Sequence, residues 1–202
     1  MDHPTKQIPQ IIQTLTMGSP QEQKSTLEAY FLPNASFTHP LCRVPSFADY
    51  TIQLPLAKNK TVTLNSRWAI LQIYTWYRIL SPKIHLTVNS RDFDQKSSTL
   101  FVSITQLFSL FFVPWSSPLD LTTKLHLVQS ENDGKYYIKH QEDLYQSGEL
   151  LKIFIPHQLS DWLVWTFQLV ATFWCIVGAF TLAPVTWARQ NNTRLVNGKN
   201  GL

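Results

Sequence analysis

"SRWAILQIYTWYRILSPKIHLTVNSRDF", residues 66–93, changes its hydrophobic period part-way. Up to Leu80 the apolar residues recur at helical spacing: Ala69, Ile73, Trp76 and Leu80 line one face, with Ile70, Tyr74 and Tyr77 beside them. The polar side, Gln72, Thr75 and Arg78, is narrow, so the spacing predicts a helix buried over most of its surface. Ser66 is placed to cap this helix and Pro82 to end it. Beyond the proline, Ile84, Leu86 and Val88 alternate with His85, Thr87 and Asn89. That is the period of a strand with one face in a core.

Upstream, Ile8, Ile11, Ile12 and Leu15 fall at i, i+3, i+4 and i+7 and predict an amphipathic first helix. "SPQE", residues 19–22, reads as the start of a second: Ser19 as N-cap, Pro20 at N1 and Glu22 closing a capping box. This helix runs to about Phe31 and stops before Pro33. "ASFTHPL", residues 35–41, is a short strand or turn, and "YTIQLPL" and "KTVTLNS", residues 50–56 and 60–66, are edge segments. Downstream, residues 98–112, 120–129 and 135–145 read as further strands. Leu121, Leu125 and Leu127 alternate with Thr122, Lys124 and His126, and "ENDG", residues 131–134, is a hairpin turn. The order is helix, helix, short strand, long helix, antiparallel meander. It implies an α+β fold in which the helices pack on a curved antiparallel sheet as a cone with an apolar interior.

Residues 162–188 carry no charge over 27 positions, and a helix of that length reaches about 40 Å. A bilayer core takes about 20 residues. Ten Leu, Ile, Val or Phe between Leu163 and Ala183 favour insertion by roughly 3–6 kcal/mol. Trp162, Trp165 and Trp187 are placed as interfacial anchors. The expected division is an α+β domain over 1–158, a transmembrane helix over 159–188 and a short basic tail over 189–202. Within the helix Ala171, Cys175, Ala179 and Ala183 form a small-residue stripe suited to packing against a second span, from a partner or a second copy.

Residues 1–161 hold 14 Lys+Arg against 13 Asp+Glu, so most of the basic excess lies in the tail. No basic patch interleaved with aromatics is visible, which excludes nucleic acid as the expected partner. Cys42 and Cys175 lie far apart, one of them mid-span, and fit a reducing compartment. The N-terminus has no signal-peptide pattern. The expectation is a tail-anchored protein with its domain in the cytosol, on the endoplasmic reticulum, with the mitochondrial outer membrane as the alternative.

Two histidines are candidate acid–base groups. His39 lies between Thr38 and Pro40 at a chain reversal, and His140 lies on the last strand. His140 and Asp143 are three apart, so a regular strand points them to opposite faces: His140 with Tyr136, Ile138 and Glu142, Asp143 with Tyr137 and Tyr145. The histidines are scattered one per element without ligand spacing, and no nucleotide or phosphate loop is visible, so neither metal nor cofactor is expected. "LFSLFFVPW", residues 107–115, breaks strand alternation. It is either a strand buried on both faces or a loop tip touching a bilayer through Phe111, Phe112 and Trp115.

The order of elements, with "YFLPNASFTHPL", "IYTWYRILSPKI", "YYIKHQEDLY" and "LAPVTW", resembles the NTF2-like superfamily. Within it the chain is most similar to the fungal membrane-anchored proteins with a SigF-like NTF2-like domain. The resemblance covers most of residues 20–188. It implies a cone with a pocket, for which Trp76, Tyr77 and Tyr136 are the expected ligand contacts. Asn34 stands where many relatives carry an acidic residue, which argues against a carboxylate base at that position. The superfamily includes isomerases, dehydratases, cyclases and non-catalytic binding proteins. The expected function is to bind a lipid or other hydrophobic small molecule, or to scaffold a membrane complex. The alternative is an isomerase, dehydratase or cyclase acting on a hydrophobic metabolite, with His39 or His140 as its acid or base.

Overall fold

The structure, a computed structural model, describes residues 1–53, 61–110, 112, 115–155 and 157–199; at 52, 53, 61, 62, 147, 150, 154, 157 and 183–199 it describes the backbone alone. Helix α1 (Pro4–Met17) buries Ile8, Ile11 and Leu15, the stripe its spacing predicts. Helix α2 (Pro20–Tyr30) starts at the expected capping box: the Glu22 N–H donates to Ser19 Oγ at 3.3 Å and the Ser19 N–H donates to Glu22 Oε2 at 2.7 Å. Helix α3 spans Ser66–Leu80, and its N-cap is Asn65, whose Oδ1 accepts from the Trp68 N–H at 2.8 Å. Ser66 is instead a buried first-turn residue whose hydroxyl donates to the Phe47 and Pro33 carbonyls.

The face that α3 turns inward is centred on Ile70, Tyr74 and Tyr77. Trp76, Trp68 and Ile79 join Gln72 on the exposed side, so less of this helix is buried than its sequence suggests. Gln23, fully buried on α2, ties the helices together. Its Nε2 donates to the Leu15 carbonyl at 2.8 Å and, more weakly, to the Tyr74 carbonyl at 3.5 Å.

Strand β1 (Phe31–His39) is longer than expected and follows α2 directly. It pairs with β2 (Cys42–Val44). Strands β3 (Tyr50–Gln53) and β4 (Thr61–Leu64) pair only with each other among the described residues. The meander follows as β5 (His85–Asp94), β6 (Thr99–Phe108), β7 (Ser117–Gln129) and β8 (Tyr136–Tyr145). The six-stranded sheet has the order β2-β1-β8-β7-β6-β5, parallel between β1 and β8 and antiparallel elsewhere. Bulges interrupt it at Asn89 in β5 and Lys139 in β8, with a wider irregularity between Phe31 and Ser36. Such bulges bend strands and turn side chains to the other face. The concave face carries the core: Leu100, Val102 and Ile104 of β6 and Leu119, Leu121, Leu125 and Leu127 of β7. A short helix, α4 (Ser147–Phe154), was not legible in the sequence. It docks on β7, where Ser117 Oγ donates to the Lys152 carbonyl at 2.8 Å and the Asp120 N–H donates to Glu149 Oε2 at 3.1 Å.

The chain divides into two compact units, Met1–His157 and Gln158–Leu202. The second is built on α5 (His157–Lys199), whose segment Gln158–Leu182 is long and apolar enough to cross a membrane. Its hydroxyls are satisfied within the helix: Thr166, Thr172 and Thr181 donate to the Trp162, Gln168 and Val177 carbonyls at 2.8–2.9 Å. That removes most of the cost of carrying them into lipid. Ala171, Cys175 and Ala179 lie exposed along this helix, and the side chain of Ala183 lies outside the described residues.

Leu125 sits at the centre of the concave face, fully buried. Leu125→Ala is expected to lower unfolding free energy by about 2–5 kcal/mol in chemical denaturation. Leu144→Ala, at an exposed position of β8, is expected to cost about 0.5 kcal/mol or less.

Candidate acid–base pocket

The concave face and the inner side of α3 enclose a cavity of about 190 Å³. Its walls are mostly apolar, from Ile12 on α1, Leu80 on α3, Ile104 and Phe108 on β6, and Leu119 and Leu121 on β7. The polar groups enter from adjacent strands. On β7 the odd-numbered residues from Ser117 to Leu127 point inward, and Thr123 is the polar member at the middle of that row. It stands directly opposite Asp143 on β8, with Leu121 opposite Tyr145 and Leu125 opposite Gln141. On the other side of β8, Phe37 of β1 lies beside Gln141 and Thr38 beside Glu142. The next residue, His39, therefore enters the cavity on the Asp143 side.

Thr123 Oγ1 donates to Asp143 Oδ1 at 2.7 Å, and Gln141 Nε2 donates to the same oxygen at 3.0 Å. Because a carboxylate only accepts, the amide must present its nitrogen there. Its oxygen is left for the Tyr74 hydroxyl, which donates to it at 2.9 Å. Asp143 Oδ2 keeps a longer contact to Gln141 at 3.3 Å. Burial pushes the Asp143 carboxyl up to about 6, against the opposing pull of the Gln141 and Thr123 hydrogen bonds. Both donors are neutral, so nothing in this bonding shell returns the pKa to the ordinary carboxylate range. The Tyr74, Tyr77 and Tyr145 hydroxyls are all pushed well above the ordinary tyrosine range, chiefly by burial, and stay protonated.

His39 is buried, and its ring packs edge-on against Tyr145 at 5.1 Å and tilted against Tyr77 at 5.5 Å. Burial depresses its pKa to about 4. Its Nδ1 accepts from the Leu41 N–H at 3.1 Å, so the neutral ring carries its proton on Nε2. His39 is thus a cavity group, but as a neutral donor rather than the base its residue type suggests.

His140 is a correction. The bulge at Lys139 puts Ile138 on the same face as Gln141, Asp143 and Tyr145, and turns His140 outward. There its Nδ1 shares a hydrogen bond of 2.8 Å with Ser36 Oγ, and its ring stacks on His126 at 6.0 Å. Of the expected ligand contacts, Tyr77 lines the cavity, while Trp76 is 55% exposed on the outer side of α3. Tyr136 lies away from the cavity, packed against Phe93 at 5.5 Å, with its carbonyl accepting from the Met1 amino group at 2.7 Å. In the loop after β6, Phe112 is exposed and Trp115 is half-buried with its indole nitrogen inside, while Phe111 lies outside the described residues. Among the described residues no three His, Cys, Asp or Glu side chains cluster as a metal site. Sequence reasoning missed Thr123, Gln141 and Asp143 as cavity groups. The available signal was the shared parity of Asp143 with Tyr145.

The model of the SigF NTF2-like domain matches residues 1–187. The chain belongs to that family. No curated protein is significantly similar in sequence. Among solved structures, the fold is similar to a Catenulispora acidiphila protein with a ketosteroid isomerase-like fold, in complex with trimethylamine, at 13% identity and TM-score 0.49, covering 74% of this chain and 96% of that one. It is similar also to an Agrobacterium tumefaciens protein described as an isomerase of the SnoaL-like family, at 9% identity and TM-score 0.48, covering 71% and 97%. A third is described as a scytalone dehydratase of Novosphingobium aromaticivorans, at 14% identity and TM-score 0.46, covering 70% and 83%. At these identities the likeness concerns the fold of the SigF NTF2-like domain alone.

Burial moves Asp143 and His39 in opposite directions, so their effects on stability oppose each other. From about pH 4 to 6 the folded chain keeps an Asp143 proton that the unfolded chain has released, so this group removes stability as pH rises. From about pH 4 to 6.5 the unfolded chain binds a His39 proton that the folded chain refuses, so this group adds stability as pH rises. Each effect is about 3 kcal/mol at full extent. In thermal unfolding of the full chain in micelles, these two groups nearly cancel in the parent, so relative to the parent Asp143→Asn is expected to gain stability from pH 4 to 6.5 and His39→Gln to lose it. Two variants that run parallel to the parent would show that neither group titrates as described.

Proposed function

We propose that this chain is a membrane-held acid–base enzyme, of isomerase, dehydratase or cyclase type, for a hydrophobic small molecule bearing an oxygen function. The observation that carries this is a carboxyl group raised to about 6 inside an apolar cavity, oriented by Thr123 and Gln141. Near neutral pH such a group is ionised, and its conjugate acid is strong enough to return the proton within the same turnover. Asp143 removes a proton from carbon beside a carbonyl or carbinol carbon. His39, through Nε2–H, and the Tyr145 hydroxyl are neutral donors in the same cavity for the oxygen that gains charge. Protonated Asp143 then delivers its proton either to another carbon, which completes an isomerisation, or to a departing hydroxyl, which leaves as water.

The segment Gln158–Leu182 supports placement at a membrane, where apolar metabolites concentrate. Both cysteines are free, which supports the cytosolic side of an endomembrane such as the endoplasmic reticulum. A cavity that only binds is the other outcome of the test. Mass spectrometry of apolar molecules co-purified with the full chain is expected to find the product with the parent and an isomer or hydrate of it with Asp143→Asn. Conversion of that compound is expected to fall about 100-fold or more in the variant. The same unconverted molecule on both would make the domain a binding module.

A further inference from the structure

The cavity has an apolar mouth, and the chain itself limits how far that mouth can be from the apolar segment that follows. Leu41 and Phe112 both line the cavity, yet they are 60% and 61% exposed, so they mark its rim. Ile153 of α4 lines it as well. That helix is fixed to β7 by the bonds of Ser117 and Asp120, so this wall belongs to the folded domain rather than to a swinging tether. Four residues lie between Ile153 and Gln158, where the apolar segment begins, so five Cα–Cα steps join them. Fully extended, they reach at most about 18 Å. If the segment crosses a bilayer, the cavity wall lies within that distance of the lipid headgroups. Two exposed apolar side chains on the rim would gain by entering the interface.

We infer that the cavity opens toward the bilayer, with Leu41 and Phe112 seated in it, and that the substrate is a molecule dissolved in the membrane that enters without passing through water. This rests on the proposed acid–base reading only for what happens inside the cavity; the position of the mouth stands apart from it. It names the substrate class as lipid-phase amphipaths, with the oxygen function leading into the cavity toward Asp143 and the apolar part trailing toward the rim.

The test uses the full chain with Cys42→Ser and Cys175→Ser, into which Leu41→Cys, Phe112→Cys or Gln95→Cys is introduced for a fluorescent label. Cys42→Ser retains a hydroxyl partner for Tyr77 in place of the 3.3 Å sulfur contact. Gln95, in the turn between β5 and β6, is exposed at the opposite end of β6 from the mouth, about 30 Å away. The chain is reconstituted in phosphatidylcholine vesicles with and without nitroxide-bearing acyl chains. Labels at 41 and 112 are expected to be quenched about threefold or more over the label at 95. A label on native Cys175, in the Cys42→Ser chain, is expected to be quenched most. Quenching at 41 and 112 no greater than at 95 would overturn the inference, because the mouth would then open to water. An unquenched Cys175 would overturn it too, because no bilayer would be crossed. Quenched rim labels together with an Asp143→Asn chain that converts the compound as fast as the parent would leave this inference standing and remove the acid–base chemistry.

Discussion

The hydroxyl of Thr123 meets the carboxyl of Asp143 at 2.7 Å across neighbouring strands, and the amide of Gln141 meets the same oxygen at 3.0 Å. An unpaired carboxylate in an apolar cavity would cost several kcal/mol; two neutral donors offset part of this and leave the rest as a raised pKa. The arrangement draws on most of the domain. β7 supplies Thr123, β8 supplies Gln141 and Asp143, and α3 supplies the Tyr74 hydroxyl that fixes which way the Gln141 amide faces. Tyr74 is placed in turn by a helix packed through Ile70 and met at its carbonyl by buried Gln23 of α2.

Sheet curvature and site chemistry share one cause. The bulge at Lys139 bends β8 and also resets its parity. Without it Ile138 would share a face with His140. With it Ile138 fills the core while Gln141, Asp143 and Tyr145 face the cavity, and His140 is left to pair with Ser36 outside. The Asn89 bulge acts likewise in β5, where Leu86 and Val88 face inward before it and Phe93 after it. In this fold a single extra residue selects between two sets of chemistry-bearing side chains.

The elements that follow one period from end to end were legible in the sequence. The α1 stripe, the capping box of α2, the alternation of β7 and the apolar segment within α5 each obey a local rule that the structure keeps. The resemblance to SigF-like domains also led to the right family. What escaped depends on partners distant in the chain. The cap of α3 fell to Asn65 because Ser66 is drawn inward by the Pro33 and Phe47 carbonyls. Trp76 was counted into the apolar face, but the helix turns Ile70 and Tyr74 to the core, and a residue two places beyond Tyr74 cannot follow. The site was half legible: the sequence marks His39 through its residue type at a chain reversal, while strand parity separates Asp143 from His140 and gives it no other visible partner. Nothing local to "KYYIKHQEDLY" shows that Lys139 is an extra residue, because the bulge exists only relative to His126 and Leu127 on β7.

A family fold that serves many chemistries leaves function to the few polar groups inside its cone. Under the proposed acid–base reading, that weight falls on the Asp143 carboxyl, which burial pushes up to about 6. Infrared difference spectroscopy of the full chain as a function of pH observes it directly, through the carbonyl stretch of the protonated acid that Asp143→Asn lacks. That band is expected to disappear with a midpoint near pH 6. A midpoint near pH 4, the ordinary range of an exposed carboxyl, would contradict the raised Asp143 pKa.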